Sequence, residues 1–242
     1  MKALVVLSGG QDSSTCLALA LAGAYFNEVH AITFDYGQRH RAEIEAARNM
    51  ISTVHRLVAS WELIQLPPGV LAGTSPLVNP EASVERYTDA ASLPGGLEKT
   101  FVPMRNALFL TVAANRAVAI SGGEEVHIYT GVSQEDYGGY PDCRKEFIVA
   151  QEFAIQKALD DPELPRIAIC TPLMYRSKAE TVAIAESLAH GRALNALSHT
   201  CYNGEVPPCG KCHACLLREK GYAIAGVRDP LLERLEMEAS HA

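Results

Sequence analysis

No run of 18 or more apolar residues occurs in the chain, so no helix is expected to cross a membrane. Aromatic residues are scarce at 7%, and the single tryptophan, Trp61, has no evident role beyond packing. Basic charge is in short supply. The 21 Lys and Arg stand against 28 Asp and Glu, a formal charge of −7. Wrapping nucleic acid needs a basic surface to neutralise phosphates, so this balance argues against a direct nucleic-acid partner, although it leaves room for a local patch. Two familiar nucleotide signatures are absent: no Gly-Lys-Ser/Thr closes a Walker loop, and no Gly-x-Gly-x-x-Gly appears. Met1-Lys2 leads straight into an apolar run, with no leader-like segment, and the expected location is the cytoplasm.

What is present is the composition of a globular protein, 48% hydrophobic and 20% charged over 242 residues. Apolar runs suit strands at Lys2–Leu7, Val29–Phe34, Leu63–Leu66, Val126–Gly131 and Arg166–Thr171. Between them, helical patterns cover Ser13–Ala22, Arg41–Met50, Asn106–Ile120, Arg144–Leu159 and Lys178–His190. This alternation predicts an α/β fold, an open and mainly parallel Rossmann-like sheet with helices on both faces. Residues 1–197 are expected to form one nucleotide-binding domain, and 198–242 a small cysteine knot with a helical tail. Residues 67–100, rich in Pro and Gly, break the alternation. They read as a lid-like or substrate-proximal insertion, or as a plain surface excursion.

The opening segment carries the strongest chemical signal. After the strand, Ser8-Gly-Gly-Gln-Asp-Ser-Ser14 combines a glycine turn with helix-capping residues. A strand, a glycine turn and a helix start aim unpaired N–H groups and the positive end of a helix dipole at one spot. Such a cradle suits a diphosphate, and it falls beyond the carboxyl ends of the strands, where open α/β sheets bind ligands.

Seven cysteines in a chain expected to be cytoplasmic do not suggest disulfides. Four of them, Cys201-x7-Cys209-x2-Cys212-x2-Cys215, have the spacing of a metal knot. Four thiolates leave no open coordination position, which suits a structural zinc; an iron–sulfur cluster is the rival. Of the rest, Cys16 and Cys170 read as core.

Three more stretches are richer in polar groups than packing requires: Asp35-Tyr-Gly-Gln-Arg-His40, Phe101-Val-Pro-Met-Arg-Asn106, and Gly131 to Cys143 with its Tyr140-Pro-Asp-Cys ending. The Ser-Gly-Gly-x-Asp-Ser loop resembles that of the ATP pyrophosphatase superfamily. Together with the Tyr140–Cys143 segment and the four-cysteine spacing, it makes the whole chain resemble the QueC family of queuosine biosynthesis. Met104 and His199-Thr200 depart from that family's pattern.

The resemblance implies an adenine nucleotide alpha hydrolase-like fold and an ATP-dependent nitrile synthesis. In it, 7-carboxy-7-deazaguanine is adenylated, ammonia displaces AMP, and the amide is adenylated again and loses AMP to give 7-cyano-7-deazaguanine. It assigns Leu7, Ser8, Gly9, Gly10, Gln11, Asp12, Ser13, Ser14 and Asp35 to ATP. Asp12, Lys178 and Arg105 are the expected catalytic groups, with Asp12 also a candidate to place Mg²⁺. Arg39 joins Arg105 as a candidate clamp for phosphate or carboxylate. Asp136, Tyr140, Asp142 and Cys143 are candidates to read the deazaguanine, and Cys201, Cys209, Cys212 and Cys215 to hold one Zn²⁺. Three rivals stand beside this reading: a tRNA-thiolating or lysidine-forming relative, an enzyme that stops at the amide, and a non-catalytic zinc adaptor. A homodimer is the base-rate expectation.

Overall fold

The computed structural model describes residues 1–67, 69–71, 73–94, 96–134 and 140–241. Five strands, β1 (Lys2–Val6), β2 (Glu28–Asp35), β3 (Ser60–Gln65), β4 (Val126–Tyr129) and β5 (Ile167–Cys170), form one sheet in the order β3-β2-β1-β4-β5. Every neighbouring pair is parallel. Successive side chains on a strand face opposite ways, and here both faces are apolar. Leu4, Ile32 and Ile128 pack with Leu110 and Ala113 of α3 (Arg105–Ser121) and Ile148 and Ile155 of α4 (Lys145–Ala158). Ala3, Val5 and Ala31 pack the other way, with Leu17 of α1 (Gln11–Ala22) and Ala47 and Met50 of α2 (Ala42–Val54). Each large side chain so buried stabilises the fold by roughly 1.5–3 kcal/mol.

The chain builds β1, β2 and β3 toward one edge, then returns to lay β4 and β5 on the other side of β1. The loops after β1 and β4 therefore diverge, leaving a crevice above the centre of the sheet.

The strands and helices expected from the patterning are found with their ends within four residues, and α5 (Lys178–Ser187) is followed by a helix the patterning does not mark, α6 (Gly191–Leu197). Ser177 and Glu180 close a capping box at the start of α5. Gly191 allows the close turn that follows, since a Cβ there would lie 1.9 Å from the Ala185 carbonyl oxygen.

Beyond α6 come the cysteines, then α7 (His213–Ala225) packed on α5, and α8 (Pro230–Ser240) packed on α6. Arg218 of α7 fastens this end. Its buried guanidinium donates twice to Asp229, to Ser198 Oγ at 2.7 Å and to the Asn195 carbonyl at 3.1 Å. Removing one member of a buried, fully bonded pair strands the other charge. Arg218→Ala is therefore expected to lower unfolding stability by about 3 kcal/mol, read as a shift in urea midpoint at unchanged slope.

The described part of 67–100 holds no helix or strand, yet it is tied down. Leu71, Leu77 and Val84 enter the core beneath α3. Arg39 grips the carbonyls of Pro76, Asn79, Pro80 and Ala82. Arg39 is thereby a clasp for the insertion rather than the phosphate or carboxylate clamp its sequence position suggests.

Candidate active site and thiol cluster

Residues 7–13 form a tight cup over the first turn of α1. Ser13 Oγ accepts from the N–H groups of Ser8 (3.2 Å) and Gly9 (3.3 Å), and Gly10 N–H donates to Ser8 Oγ at 3.1 Å. Gly9 has φ +98°, and a Cβ on it would lie 1.9 Å from the Glu43 carbonyl oxygen, so only glycine fits against α2. From the other side, His199 N–H donates to the Gly9 carbonyl at 2.9 Å.

A cleft of ≈ 240 Å³ opens from this cup. Ser8, Gly10, Gln11, Asp12 and Ser13 line one wall, Tyr36, His40 and Glu43 a second, and Arg105, Tyr140 and Cys143 a third. Lys178 reaches in from the start of α5 and donates to both Asp12 oxygens, at 2.9 and 2.8 Å. The Gln11 side chain lines the cleft at 1% exposure, and neither end of its amide has a partner among the described residues. An orphaned buried amide at a helix N-terminus is what an absent polar ligand leaves behind.

The charges are shaped by burial. Glu43 is pushed up to about 8 by desolvation, against the pull of Arg105 and with help from Asp12 and Cys201, so at pH 7 it is mostly protonated with a minor ionised fraction. His40 is pushed down to about 3 by burial, reinforced by Arg105 and His199, and is neutral. Burial opposes the charge of Arg105, but the acidic groups around it, Tyr36 first, favour the cation, and its guanidinium donates to the Tyr36 hydroxyl at 3.5 Å. Burial also lifts Cys143 to about 12, so its thiol is protonated and no nucleophile at neutral pH.

Leu7, Ser8, Gly10, Gln11, Asp12, Ser13, Arg105, Lys178, Tyr140 and Cys143 thus meet at one cleft. Four other sequence-expected residues lie off its wall. Gly9 shapes the cup through its backbone. Ser14 turns inward and donates to Asn195 Oδ1 at 2.5 Å. Asp35 is taken by Arg41 at 2.7 Å and by Gly37 N–H, an Asx-type turn. Asp142 accepts from Asn106 N–H at 3.1 Å and so holds the start of α3. Asp136 lies outside the described residues. Met104, one of the departures from the family pattern, is exposed at φ +63°, a conformation that favours glycine or asparagine. Glu43, His40, His199 and Asn195 were not found from sequence. Glu43 reads there as an ordinary acid in a helix's first turn, and only packing reveals it.

The four knot cysteines bring their Sγ atoms within 4.8 Å of one another. Around a single tetrahedral ion with about 2.3 Å metal–sulfur bonds, sulfurs lie roughly 3.8 Å apart, and the Cys209–Cys215 separation is 3.9 Å. Three N–H groups, from Asn203, Lys211 and Cys212, point at Cys209 Sγ, as they would at a metal-bound thiolate. Donation from Cys212 and Cys215 holds Cys201 well below the usual thiol range, while Cys212 is raised to about 12. Protons shared among Cys201, Cys212 and Cys215 stand where a divalent cation would bind, so the donor set fits a metal ion.

Fold and cleft together define a doubly wound α/β protein with a helix-start cup at its topological switch point and, near its C-terminal end, four cysteines that could hold a metal ion. The family model described as queuosine biosynthesis protein QueC matches residues 2–226, and the chain belongs to that family. It is 49% identical over 241 residues to 7-cyano-7-deazaguanine synthase of Chromobacterium violaceum, covering 98% of this chain and 96% of that one. It is 48% identical over 232 residues to the synthase of that name from Gloeobacter violaceus, covering 95% of each. A 4-thiouridine synthetase solved with RNA and ATP superposes at TM-score 0.48 and 17% identity, over 98% of this chain and 53% of that one. That likeness is too loose to carry a reaction across. No helix among the described residues is long and apolar enough to cross a membrane.

Proposed function

We propose that the protein converts 7-carboxy-7-deazaguanine and ammonia to 7-cyano-7-deazaguanine, using two ATP and releasing AMP and pyrophosphate. Full-length membership of the QueC family supports the product, and the anion cup at residues 7–13 supports the ATP chemistry. A carboxylate resists nucleophiles, so it must first become an acyl adenylate. Attack at the α-phosphate expels pyrophosphate, whose charge falls on the positive start of α1, the Ser8 and Ser13 hydroxyls and Lys178. Asp12 aims Lys178 through its two hydrogen bonds. Arg105, half-buried and cationic, faces the substrate carboxylate and then the adenylate. Tyr140, held by Thr100 at 2.9 Å, stacks on the deazaguanine, with Asp136 as acceptor for its N1–H edge.

Mg²⁺, when bound with the triphosphate, supplies neutralising charge, and Asp12 is placed to reach it with lone pairs that Lys178 leaves free. Zn²⁺ is the ion we assign to Cys201, Cys209, Cys212 and Cys215. We assign the enzyme to the cytoplasm, as a homodimer acting on a free small molecule rather than on tRNA.

Mass spectrometry of the products from acid, ATP and ammonium tests the reading. The expected result is the nitrile with AMP and pyrophosphate. Amide alone after long incubation with excess ATP would confine the enzyme to the first half-reaction, and ADP with orthophosphate would defeat the adenylation scheme. Retardation of tRNA in a gel at moderate salt would favour the tRNA-modifying alternative.

A further inference from the structure

Among the described residues, Asp12 and Glu43 line the cleft while Asp35 and Asp142 lie off its wall, and three of these four carboxylates are spoken for. Asp12 is bound by Lys178, Asp35 by Arg41, and Asp142 by the Asn106 amide in the first turn of α3. The fourth, Glu43, has no Lys, Arg or amide partner among the described residues; its one ion-pair contact is His40 Nε2 at 3.5 Å. Its side chain lines the cleft yet is only 13% exposed. It also stands hard against the anion cup, because a Cβ on Gly10 would lie 3.4 Å from Glu43 Oε1. An unpaired carboxylate in that place repels phosphates once ionised, so its service must be to a group that brings positive charge or sheds protons.

Resting on the reaction proposed above, we infer that Glu43 is the proton acceptor for the incoming nitrogen. Ammonia's lone pair forms the C–N bond at the acyl adenylate carbon, and the carbonyl π electrons move onto oxygen. The adduct then carries a cationic nitrogen with three protons. Glu43 takes one of them on a carboxylate oxygen. The oxygen's electrons re-form the C=O bond, the bond to the phosphate oxygen breaks, and AMP leaves with that electron pair. Amide, AMP and a protonated Glu43 result, and the proton then passes to water. Without the acceptor, the cationic amine is the better leaving group and the adduct falls back. The charged and titratable groups facing Glu43 among the described residues are Arg105 of α3, Asp12 of α1, Tyr36 and His40 between β2 and α2, and Cys201 of the knot. Burial raises Glu43 to about 8, so the ionised form is the minority at pH 7 and the majority above pH 8, and it is this form, a stronger base than an ordinary carboxylate, that takes the adduct's proton.

Glu43→Gln keeps the side chain's size and removes the acceptor. Acid-dependent pyrophosphate release, which reports the first adenylation, should remain near the wild-type rate. Ammonium-dependent amide and nitrile formation should fall by about 10²-fold or more. Hydroxylamine should rescue the variant, because its adduct is a much stronger acid than that of ammonia and loses its proton to water. Hydroxamate is then expected at close to the wild-type rate. Glu43→Asp, which sets the carboxylate back by one methylene, should lie between the two. Ammonium-dependent turnover unchanged in Glu43→Gln overturns the assignment. So does a loss of pyrophosphate release or of hydroxamate as large as the loss of amide, since Glu43 would then serve the diphosphate, its cation or the fold. If the wild-type enzyme itself releases no acid-dependent pyrophosphate, the reaction proposed above fails first and this role falls with it.

Discussion

Gly9→Ala is expected to lower turnover by at least about 10²-fold, because a misplacement of roughly 1 Å in the cup is enough to undo its aim. The new Cβ would sit 1.9 Å from the Glu43 carbonyl oxygen and 2.8 Å from its carbon, both backbone atoms of a packed helix. Neither can swing aside as a flexible side chain would. The φ of +98° adds a second obstacle that no L side chain removes. Either α2 retreats or the peptide turns over, and in both cases the N–H groups now held by Ser13 lose their common focus. The unfolding stability should drop by about 2–4 kcal/mol as well. Gly37→Ala is the matched control: φ is +78°, but nothing lies within 4 Å, so only backbone strain of about 1–2 kcal/mol is expected. Steady-state assays and urea unfolding on both variants decide the matter. A Gly9→Ala enzyme as active as Gly37→Ala would mean the cup does not need its present shape.

Cys212→Ser should have the larger effect on stability. Cys212 is fully buried and forms the N-cap of α7, so its sulfur joins the knot to the helix that carries Arg218. Elemental analysis of the wild-type protein should give about one zinc per chain, and the variant very little. Structural zinc sites commonly contribute about 10 kcal/mol or more, so loss of even a fraction should cost upwards of about 4 kcal/mol in unfolding. The damage should also reach the nucleotide. Cys201 lies two residues beyond His199, which holds the Gly9 carbonyl, and one beyond Thr200, whose methyl would touch a Cβ on Gly10 at 3.6 Å. Chelator-treated wild-type protein should therefore lose ATP affinity along with metal. A brown preparation with visible absorbance would replace zinc by an iron–sulfur cluster. A Cys212→Ser protein that retains both metal and melting temperature would remove the knot from the account.

The sheet was readable from sequence because each strand is an apolar run closed by glycine or polar residues, and the anion cup because its glycines and hydroxyls are contiguous. The thiol cluster was readable from spacing alone. The boundaries missed have local causes. β3 begins three residues early at Ser60, where polar and apolar residues alternate on an edge strand whose partner is β2 alone. α6 was hidden by His190-Gly191, a pair that looks like a helix end and is in fact a hinge between two helices. The side chains that complete the cleft are a different case. Glu43 and His40 come from the start of α2 and the turn before it, His199 from the segment after α6, and they acquire their roles only when these two segments close on the cup. No local pattern marks that convergence. Arg39 makes the converse point: a lone arginine beside a ligand rim suggests a clamp, but four carbonyls of the insertion had already claimed it.

The central position of β1 also sets an order of assembly. Lys2–Val6 is the earliest strand to be synthesised, yet one of its two flanks stays open until Val126–Tyr129 has been made. More than a hundred residues must emerge before the sheet can be completed from the middle outward, a long loop to close during folding. Until then the nascent chain carries a bare Val- and Leu-rich edge that is open to self-association. Prolonged pausing of translation before residue 126 is thus the point at which this fold is most exposed to aggregation.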